Sequence, residues 1–252
     1  MIIDSHCHID FEIFDDDRQQ VLERGRNVNV TKIIVPGVMQ SSWNRIKICC
    51  EQNTGLYPCY GLHPYYIDKH QLQDLNDLKN FIERNKPIAV GECGLDFYVK
   101  ELDVDTQMFY FEQQLNIAQE FDLPVVIHAR KSTQAVIDAI KKCSGLRGMI
   151  HSYSGSYEQA TQLIKLGFYL SFGGPITYTG SSRLRKIVKQ LPLESMLVET
   201  DAPDQPVATA AGKRNEPAFI VDVIESMAEL HNTSAINISK ITANNAIKLF
   251  KL

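Results

Sequence analysis

The sequence predicts an α/β protein folded as a single (β/α)8 TIM barrel. Short runs rich in β-branched residues alternate with amphipathic stretches from one end of the chain to the other. About eight such units follow one another through short connections, with no shift in composition along the 252 residues. This pattern favours a parallel sheet covered by helices and one domain spanning residues 1–252. An open, doubly wound sheet is the alternative, because sequence alone does not establish closure.

Each predicted strand is a short apolar run bounded by polar or turn-forming residues. The predicted strands are residues 2–8, 32–36, 56–62, 87–92, 124–128, 148–152, 168–172 and 196–201. Apolar residues at helical spacing predict helices at residues 106–121, 132–142, 157–166, 182–190, 217–230 and 234–252. The longest irregular stretch, residues 202–216, directly follows the eighth strand. Active sites of such barrels lie at this end of the strands.

Composition limits the functional class. The net charge of −4 gives no general attraction to nucleic acid, although bound cations would make a site locally positive. No apolar run reaches the roughly 20 residues of a membrane-spanning helix. The N-terminal residues lack the features of a signal peptide, so we expect a cytoplasmic protein without a membrane partner. The six cysteines form no CxxC pair, and we expect buried free thiols.

Residues able to bind metals lie where predicted strands end. His6 and His8 close the first strand, and strand alternation places them on one face, where they can hold one ion. A hydrogen-bonded structural pair is the alternative. Glu92 ends the fourth strand and suits a ligand that bridges two cations. A salt-bridge role for Glu92 is equally compatible with its position. The neighbouring Cys93 is expected to be a small buried residue rather than a ligand.

Later strands end in the same way. His128 emerges from the buried fifth strand with Arg130 on the same face, and His151 ends the sixth. A hydrogen-bonded core histidine is the alternative for His128. Glu199 and Asp201 share a face after the eighth strand, where two acids repel each other unless cations or protons compensate.

Four of the seven histidines, with Glu92 and Asp201, therefore fall at the ends of five predicted strands. His63 ends the third strand and is expected to orient substrate or protonate a leaving group, with a structural role as the alternative. His70 and His231 are assigned to exposed helix surface. The joint pattern predicts a metal site at one barrel mouth. Its predicted ligands are His6, His8, Glu92, His128, His151 and Asp201.

These motifs together resemble the successive signatures of the TatD family of metal-dependent deoxyribonucleases. The motifs are DSHCHID at residues 4–10, GLHP at 61–64, GECGLD at 91–96, IHAR at 127–130, HSYSGS at 151–156, ETDAP at 199–203 and NNAIKLF at 244–250. The motifs follow one another in the order and at the spacing of the family, and they extend over nearly the whole chain. The resemblance implies a TIM barrel of the amidohydrolase-like kind, two or three divalent ions and phosphodiester hydrolysis.

Position by position, the resemblance makes His6, His8 and Asp201 the ligands of one ion. It makes Glu92 a bridge to a second ion that is held by His128 and His151. It makes Glu199 either a further metal ligand or a residue that supports the ligands from behind. The residues that it places near the substrate phosphate are His63, Arg130, Lys213 and Arg214. Residues 204–206 (DQP) replace the usual aromatic and leucine, and residues 207–211 are small. These departures concern substrate preference and leave the ligand positions unchanged.

The expected function is a deoxyribonuclease of the 3′–5′ exonuclease type, acting as a monomer on nucleic acid. Two cations roughly 3.5–4 Å apart would activate a water molecule. Asp201 would accept its proton, and Arg130 and His63 would hold the phosphate. The donor types suit zinc, manganese, cobalt or magnesium.

Two other functions use the same residues. One is hydrolysis of an amide, ester or lactone, including an aminoacyl-tRNA ester. Related barrels of that type often carry a modified lysine at the end of the fourth strand. Glu92 at this position and the cationic Arg130 and Arg214 favour phosphodiesters. The other is non-catalytic binding of metal or nucleic acid. The complete set of metal ligands favours catalysis over this function.

Overall fold

The eight strands form one sheet, in which strand order follows the order of the chain. The computed structural model describes residues 1–252. The strands are β1 Ile2–Asp4, β2 Val30–Pro36, β3 Leu56–Tyr60, β4 Ala89–Asp96, β5 Val125–Arg130, β6 Gly148–Ile150, β7 Phe168–Phe172 and β8 Met196–Val198. Helices separate consecutive strands throughout. Eight strands in this order define the (β/α)8 TIM-barrel class, which confirms the predicted fold.

Nine α-helices accompany the strands. They are α1 Arg18–Asn27, α2 Trp43–Gln52, α3 Leu72–Asn85, α4 Val104–Glu120, α5 Thr133–Lys141, α6 Tyr157–Lys165, α7 Ser182–Gln190, α8 Ile220–His231 and α9 Ala235–Phe250. Local sequence sets several helix starts. The Asp103 carboxylate accepts a hydrogen bond from the Thr106 N–H at the start of α4, and Ser156 caps α6 in the same way through Gln159. No helix combines the length and apolar character needed to cross a bilayer.

The chain contains two compact units. The first comprises Met1–Val35 and Leu170–Leu252. In it, the Ser5 N–H donates a 3.0 Å hydrogen bond to the Val198 carbonyl, so the ends of the first and last strands lie side by side. Helix α9 packs on both strands, and its Asn245 side chain donates to the Leu193 and Met196 carbonyls. Residues at opposite ends of the sequence thus build one surface.

The second unit, Pro36–Tyr169, contains β3 to β6. Strand β4 is buried at every residue, as expected for a parallel strand covered on both faces. It pairs with β5 so that Gly94 lies opposite His128 and Asp96 opposite Arg130. A Cβ atom at Gly94 would lie 2.1 Å from the His128 carbonyl oxygen. Glycine therefore permits the close approach that places the side chains of β4 beside those of β5.

All six cysteines are free thiols, as predicted. Four are buried (Cys7, Cys49, Cys59 and Cys93), and Cys50 and Cys143 are half-buried. The Cys7 thiol lies 3.8 Å from the Ala202 carbonyl and the Cys93 thiol 3.7 Å from the Val126 carbonyl. Burial raises the pKa of both thiols, as expected for cysteines that pack as small buried side chains.

Candidate metal centre

The first unit holds a cluster of His6, His8 and Asp201, called the histidine-pair cluster here. The His6 Nε2 atom lies 3.3 Å from the His8 Nε2 atom. The Asp201 Oδ1 atom lies 3.5 Å from the former and 3.7 Å from the latter. All three residues are buried. Two imidazole nitrogens and one carboxylate oxygen therefore converge on one point.

Backbone hydrogen bonds beyond the strand ends create this convergence. Strand β1 ends at Asp4, so the strand alternation that we used to place His6 and His8 does not apply to them. Instead, the Asp201 N–H donates to the His6 carbonyl at 2.9 Å, and the His8 N–H donates to the Ala202 carbonyl at 2.8 Å. The segments that follow β1 and β8 are thus joined residue by residue.

The side chains of the histidine-pair cluster are also supported from outside. The Phe11 ring stacks on the His8 ring with a centroid separation of 4.6 Å and an interplanar angle of 22°. The Gln205 amide donates to the Asp201 Oδ2 atom, which leaves Oδ1 directed at the histidines. The orientation of Asp201 is therefore fixed by its own loop.

Asp4 braces the same region and was given no role from the sequence. Its buried carboxylate accepts hydrogen bonds from the His6 N–H, the Thr200 N–H and, at 2.6 Å, the Thr200 hydroxyl. Burial raises the pKa of Asp4 to about 7, although these hydrogen bonds act to lower it. The backbones carrying His6 and Asp201 are therefore tied together through one carboxyl group.

The second unit holds a cluster centred on Glu92, called the Glu92 cluster here. Its Oε1 atom lies 3.0 Å from the His63 Nε2 atom, 3.1 Å from the His151 Nε2 atom and 3.2 Å from the His128 Nδ1 atom. Glu92 is only 1% exposed. A single buried carboxylate oxygen is thus surrounded by three imidazole nitrogens.

His63 is neutral at physiological pH. Burial lowers its pKa to about 4, and the Glu92 charge only partly opposes this. The His63 Nδ1 atom accepts a 3.0 Å hydrogen bond from the Tyr65 N–H, so the single ring proton lies on Nε2. His63 therefore presents a hydrogen-bond donor towards Glu92. It lacks the acidic proton expected of a group that protonates a leaving group.

Asp96 extends the Glu92 cluster, and sequence reasoning missed it. Its Oδ2 atom lies 3.1 Å from the His128 Nε2 atom and 3.9 Å from the Arg130 guanidinium. Burial is the largest single influence and opposes ionisation of Asp96. The hydrogen bonds from His128 and the Tyr98 N–H, together with the charges of His128 and Arg130, outweigh it, and the pKa is lowered. For His128, burial is outweighed by Asp96 and Glu92, so its pKa is raised. The even spacing of Asp96 from Glu92 along β4 was the available signal.

The predicted substrate residues occupy different surroundings. The Arg130 side chain is 49% exposed, and its guanidinium stacks on the Tyr98 ring at 3.8 Å. Arg214 pairs with the Asp17 carboxylate at 2.6 Å and 2.9 Å and donates to the Ile13 carbonyl. Lys213 is exposed and Glu199 fully buried. Substrate roles for Arg130, Lys213 and Arg214, and a ligand role for Glu199, stay predictions.

The assignment of His70 and His231 to exposed helix surface was wrong. His70 is half-buried after the short helix Pro64–Lys69, and its Nε2 atom lies 2.9 Å from the His63 carbonyl oxygen. His231 is half-buried at the end of α8. Burial lowers the pKa of both side chains. The helical pattern alone did not show which neighbours would cover these rings.

The donor chemistry of both clusters fits divalent cations. Each cluster combines imidazole nitrogens with a carboxylate oxygen, a set that suits zinc, manganese or cobalt. Donor atoms of His63, Glu92 and His128 lie within 4.8 Å of one another, a spacing that one ion can contact. Sites of this composition on the strands and strand-end loops of a (β/α)8 barrel define a class of metal-dependent hydrolases.

Comparison with known proteins identifies the family. Residues 3–251 match the family model described as TatD related DNase, so the chain belongs to the TatD family of metal-dependent hydrolases. It is 36% identical over 253 residues to the metal-dependent hydrolase YjjV of Escherichia coli (strain K12), covering 99% of this chain and 98% of the relative. It is 34% identical over 254 residues to the metal-dependent hydrolase YabD of Bacillus subtilis (strain 168), covering all of both chains.

A solved structure agrees with the fold. The crystal structure of YjjV, described as a TatD homolog from Escherichia coli K12, superposes with a TM-score of 0.95 at 35% identity. The match covers 100% of this chain and 98% of that chain. The family resemblance and the TIM-barrel fold expected from the sequence are both confirmed.

Proposed function

We propose that this protein is a metal-dependent phosphodiesterase that removes nucleotides from the 3′ end of DNA. The main support is the donor set of the Glu92 cluster, one buried carboxylate oxygen within 3.2 Å of three imidazole nitrogens. The family description as TatD related DNase supports DNA as the substrate.

We assign the ligands in two sets. His6, His8 and Asp201 hold one ion, and Glu92, His128 and His151 hold the other. The separate convergence of each set supports this assignment. So does the position of the ligands near the carboxyl ends of parallel strands, where this fold carries its active sites. His6, His8, His151 and Asp201 follow strand ends, whereas Glu92 and His128 lie within β4 and β5. Glu199, fully buried after β8, is proposed as a further ligand or as support for one.

When bound, divalent cations polarise phosphoryl oxygens and lower the pKa of water. The chain's own groups then divide the remaining work. Asp201 accepts the proton of the attacking water while Gln205 holds its second oxygen. The half-exposed Arg130 binds the phosphate through charge-assisted hydrogen bonds. The neutral His63 donates a hydrogen bond from its Nε2–H group to an oxygen on which charge develops.

Hydrolysis of an amide, a lactone or an aminoacyl-tRNA ester would use similar ligands. The carboxylate of Glu92 lies within β4, and Arg130 offers a cation suited to phosphate. Both features support the phosphodiester. A single functional domain, a monomeric state and a cytoplasmic location stay predictions.

The test is nucleotide release from single-stranded DNA labelled at its 5′ or its 3′ end. We expect stepwise shortening from the 3′ end with magnesium, manganese, zinc or cobalt, and none after chelation. Glu92→Gln should abolish release, and the matched variant Glu112→Gln, at a half-buried surface position of α4 and purified identically, should retain it. Hydrolysis of amides or lactones without phosphodiesterase activity under any metal would overturn the proposal.

A further inference from the structure

Both ring nitrogens of His128 face a specific partner. Its Nδ1 atom lies 3.2 Å from the Glu92 Oε1 atom and 3.3 Å from the His151 Nε2 atom. Its Nε2 atom lies 3.1 Å from the Asp96 Oδ2 atom. A neutral imidazole carries one proton, so the position of that proton decides which nitrogen offers a lone pair to a metal. An ionised Asp96 only accepts hydrogen bonds, and it therefore favours the proton on Nε2. The Glu92 Oε1 atom that faces Nδ1 already accepts from the His63 Nε2–H group at 3.0 Å.

Asp96 is itself held in place by several groups. It is 2% exposed, and its Oδ1 atom accepts a 2.9 Å hydrogen bond from the Tyr98 N–H. The Gln107 amide bonds both the N–H and the carbonyl of Asp96, at 2.8 Å and 3.2 Å. Parallel pairing of β4 and β5 places Asp96 opposite Arg130, whose guanidinium lies 3.9 Å from Oδ2. The carboxylate thus has a fixed direction and a neighbouring positive charge.

We propose that Asp96 is a positioning residue that holds His128 as its Nε2–H tautomer and directs Nδ1 to the metal. The inference rests on the proposed function, because it takes His128 as a ligand. Beyond that function, Nδ1 is the atom of His128 that binds the metal, and Asp96 is the group that selects this atom. Ligating histidines commonly donate their second N–H to a carboxylate, and loss of such a partner typically costs about 10–100-fold in metal affinity or activity.

Asp96→Asn separates this role from simple packing. The Tyr98 N–H requires an acceptor, so the amide oxygen of the asparagine takes the Oδ1 position and its NH₂ group faces His128. That group donates to Nε2, and the ring proton moves to Nδ1. The variant preserves the shape of the side chain but presents a proton where the wild type presents a lone pair.

Two measurements on metal-free and titrated protein test the proposal. Because the pKa of His128 is raised above the ordinary value, the pH is increased until the ring signals of His128 no longer change. Long-range ¹H–¹⁵N spectra then report the tautomer of its neutral ring. Its signals are assigned by their loss in His128→Gln. We expect Nε2–H in the wild type and Nδ1–H in Asp96→Asn. Competition with a chromophoric chelator measures zinc affinity, which should fall by about 10–100-fold in the variant.

Asp138→Asn, the same change at an exposed position of α5, is the matched control and should change neither measurement. An Nδ1–H tautomer in the wild type would overturn the proposal, even if Asp96→Asn failed to fold. Unchanged zinc affinity in a folded Asp96→Asn protein would also overturn it. Neither measurement uses DNA, so failure of this inference is distinguishable from failure of the proposed activity.

Discussion

Acidification of the metal-free protein tests the neutral state of His63. Its pKa in the folded protein is about 4, below the ordinary value of 6.5. Because the folded pKa is the lower one, the unfolded state binds a proton first as the pH falls. The stabilisation is therefore complete above about pH 6.5 and is lost towards pH 4. It amounts to about 2 kcal/mol lost by pH 5 and about 3 kcal/mol by pH 4.

The assay is urea unfolding with chelator at pH 7.5 and pH 5.0, for the wild type and His63→Asn. An asparagine oxygen can replace Nδ1 as the acceptor for the Tyr65 N–H, so the start of the Pro64–Lys69 helix is preserved. We expect the wild type to lose about 2 kcal/mol more than the variant between these pH values. Equal losses would refute the reasoning, because His63 would then titrate in the folded protein as it does when unfolded.

Three further substitutions test the roles of single groups. Glu92→Ala should remove one metal equivalent together with activity, because it deletes the carboxylate oxygen that contacts three imidazoles. Elemental analysis measures the metal content, and an unchanged content would make Glu92 a structural carboxylate. Asp201→Asn should lower kcat by at least about a hundredfold, the usual contribution of a general base, while the ion of Glu92, His128 and His151 stays bound. Near-normal turnover of that folded variant would remove Asp201 as the base. Arg214→Ala should cost about 1 kcal/mol of unfolding free energy or less and leave KM for DNA unchanged, because Asp17 and the Ile13 carbonyl already bind the guanidinium. A raised KM would instead support the substrate contact implied by the family resemblance.

The sequence predicted the alternation of strands and helices well because buried parallel strands and amphipathic helices leave strong periodic signals. The bounds of β7 and α7 agree exactly with the predicted residues 168–172 and 182–190. Strands β1 and β8 were predicted too long. The polar segments that follow them hydrogen-bond to each other beyond the last residues of the strands, so their alternating pattern resembles that of a strand.

Helices α1, α2 and α3 were not delimited from the sequence. Helix α1 buries only Val21, Leu22 and Gly25 among its ten residues, so it carries a weak apolar pattern. Its position depends on tertiary packing rather than on local periodicity.

The supporting residues of the site were harder to predict than its candidate ligands. Candidate ligands are histidines and acids at strand ends, a position visible in the chain. Asp96 contacts His128, 32 residues away, and Asp4 contacts Thr200, 196 residues away. Their roles arise from pairing between strands, and no local motif reports that pairing. The even spacing of Asp96 from Glu92 marks it as a candidate, but only the strand order shows which histidine it contacts.

The ligand assignment is tested most directly by anomalous diffraction from crystals grown with zinc or manganese. We expect two peaks at ligand distances of about 2.0–2.2 Å. One peak should be bound by His6, His8 and Asp201, and the other by Glu92, His128 and His151. Peaks bound by other side chains, or one of these two sets left without an ion at saturating metal, would contradict the ligand assignment.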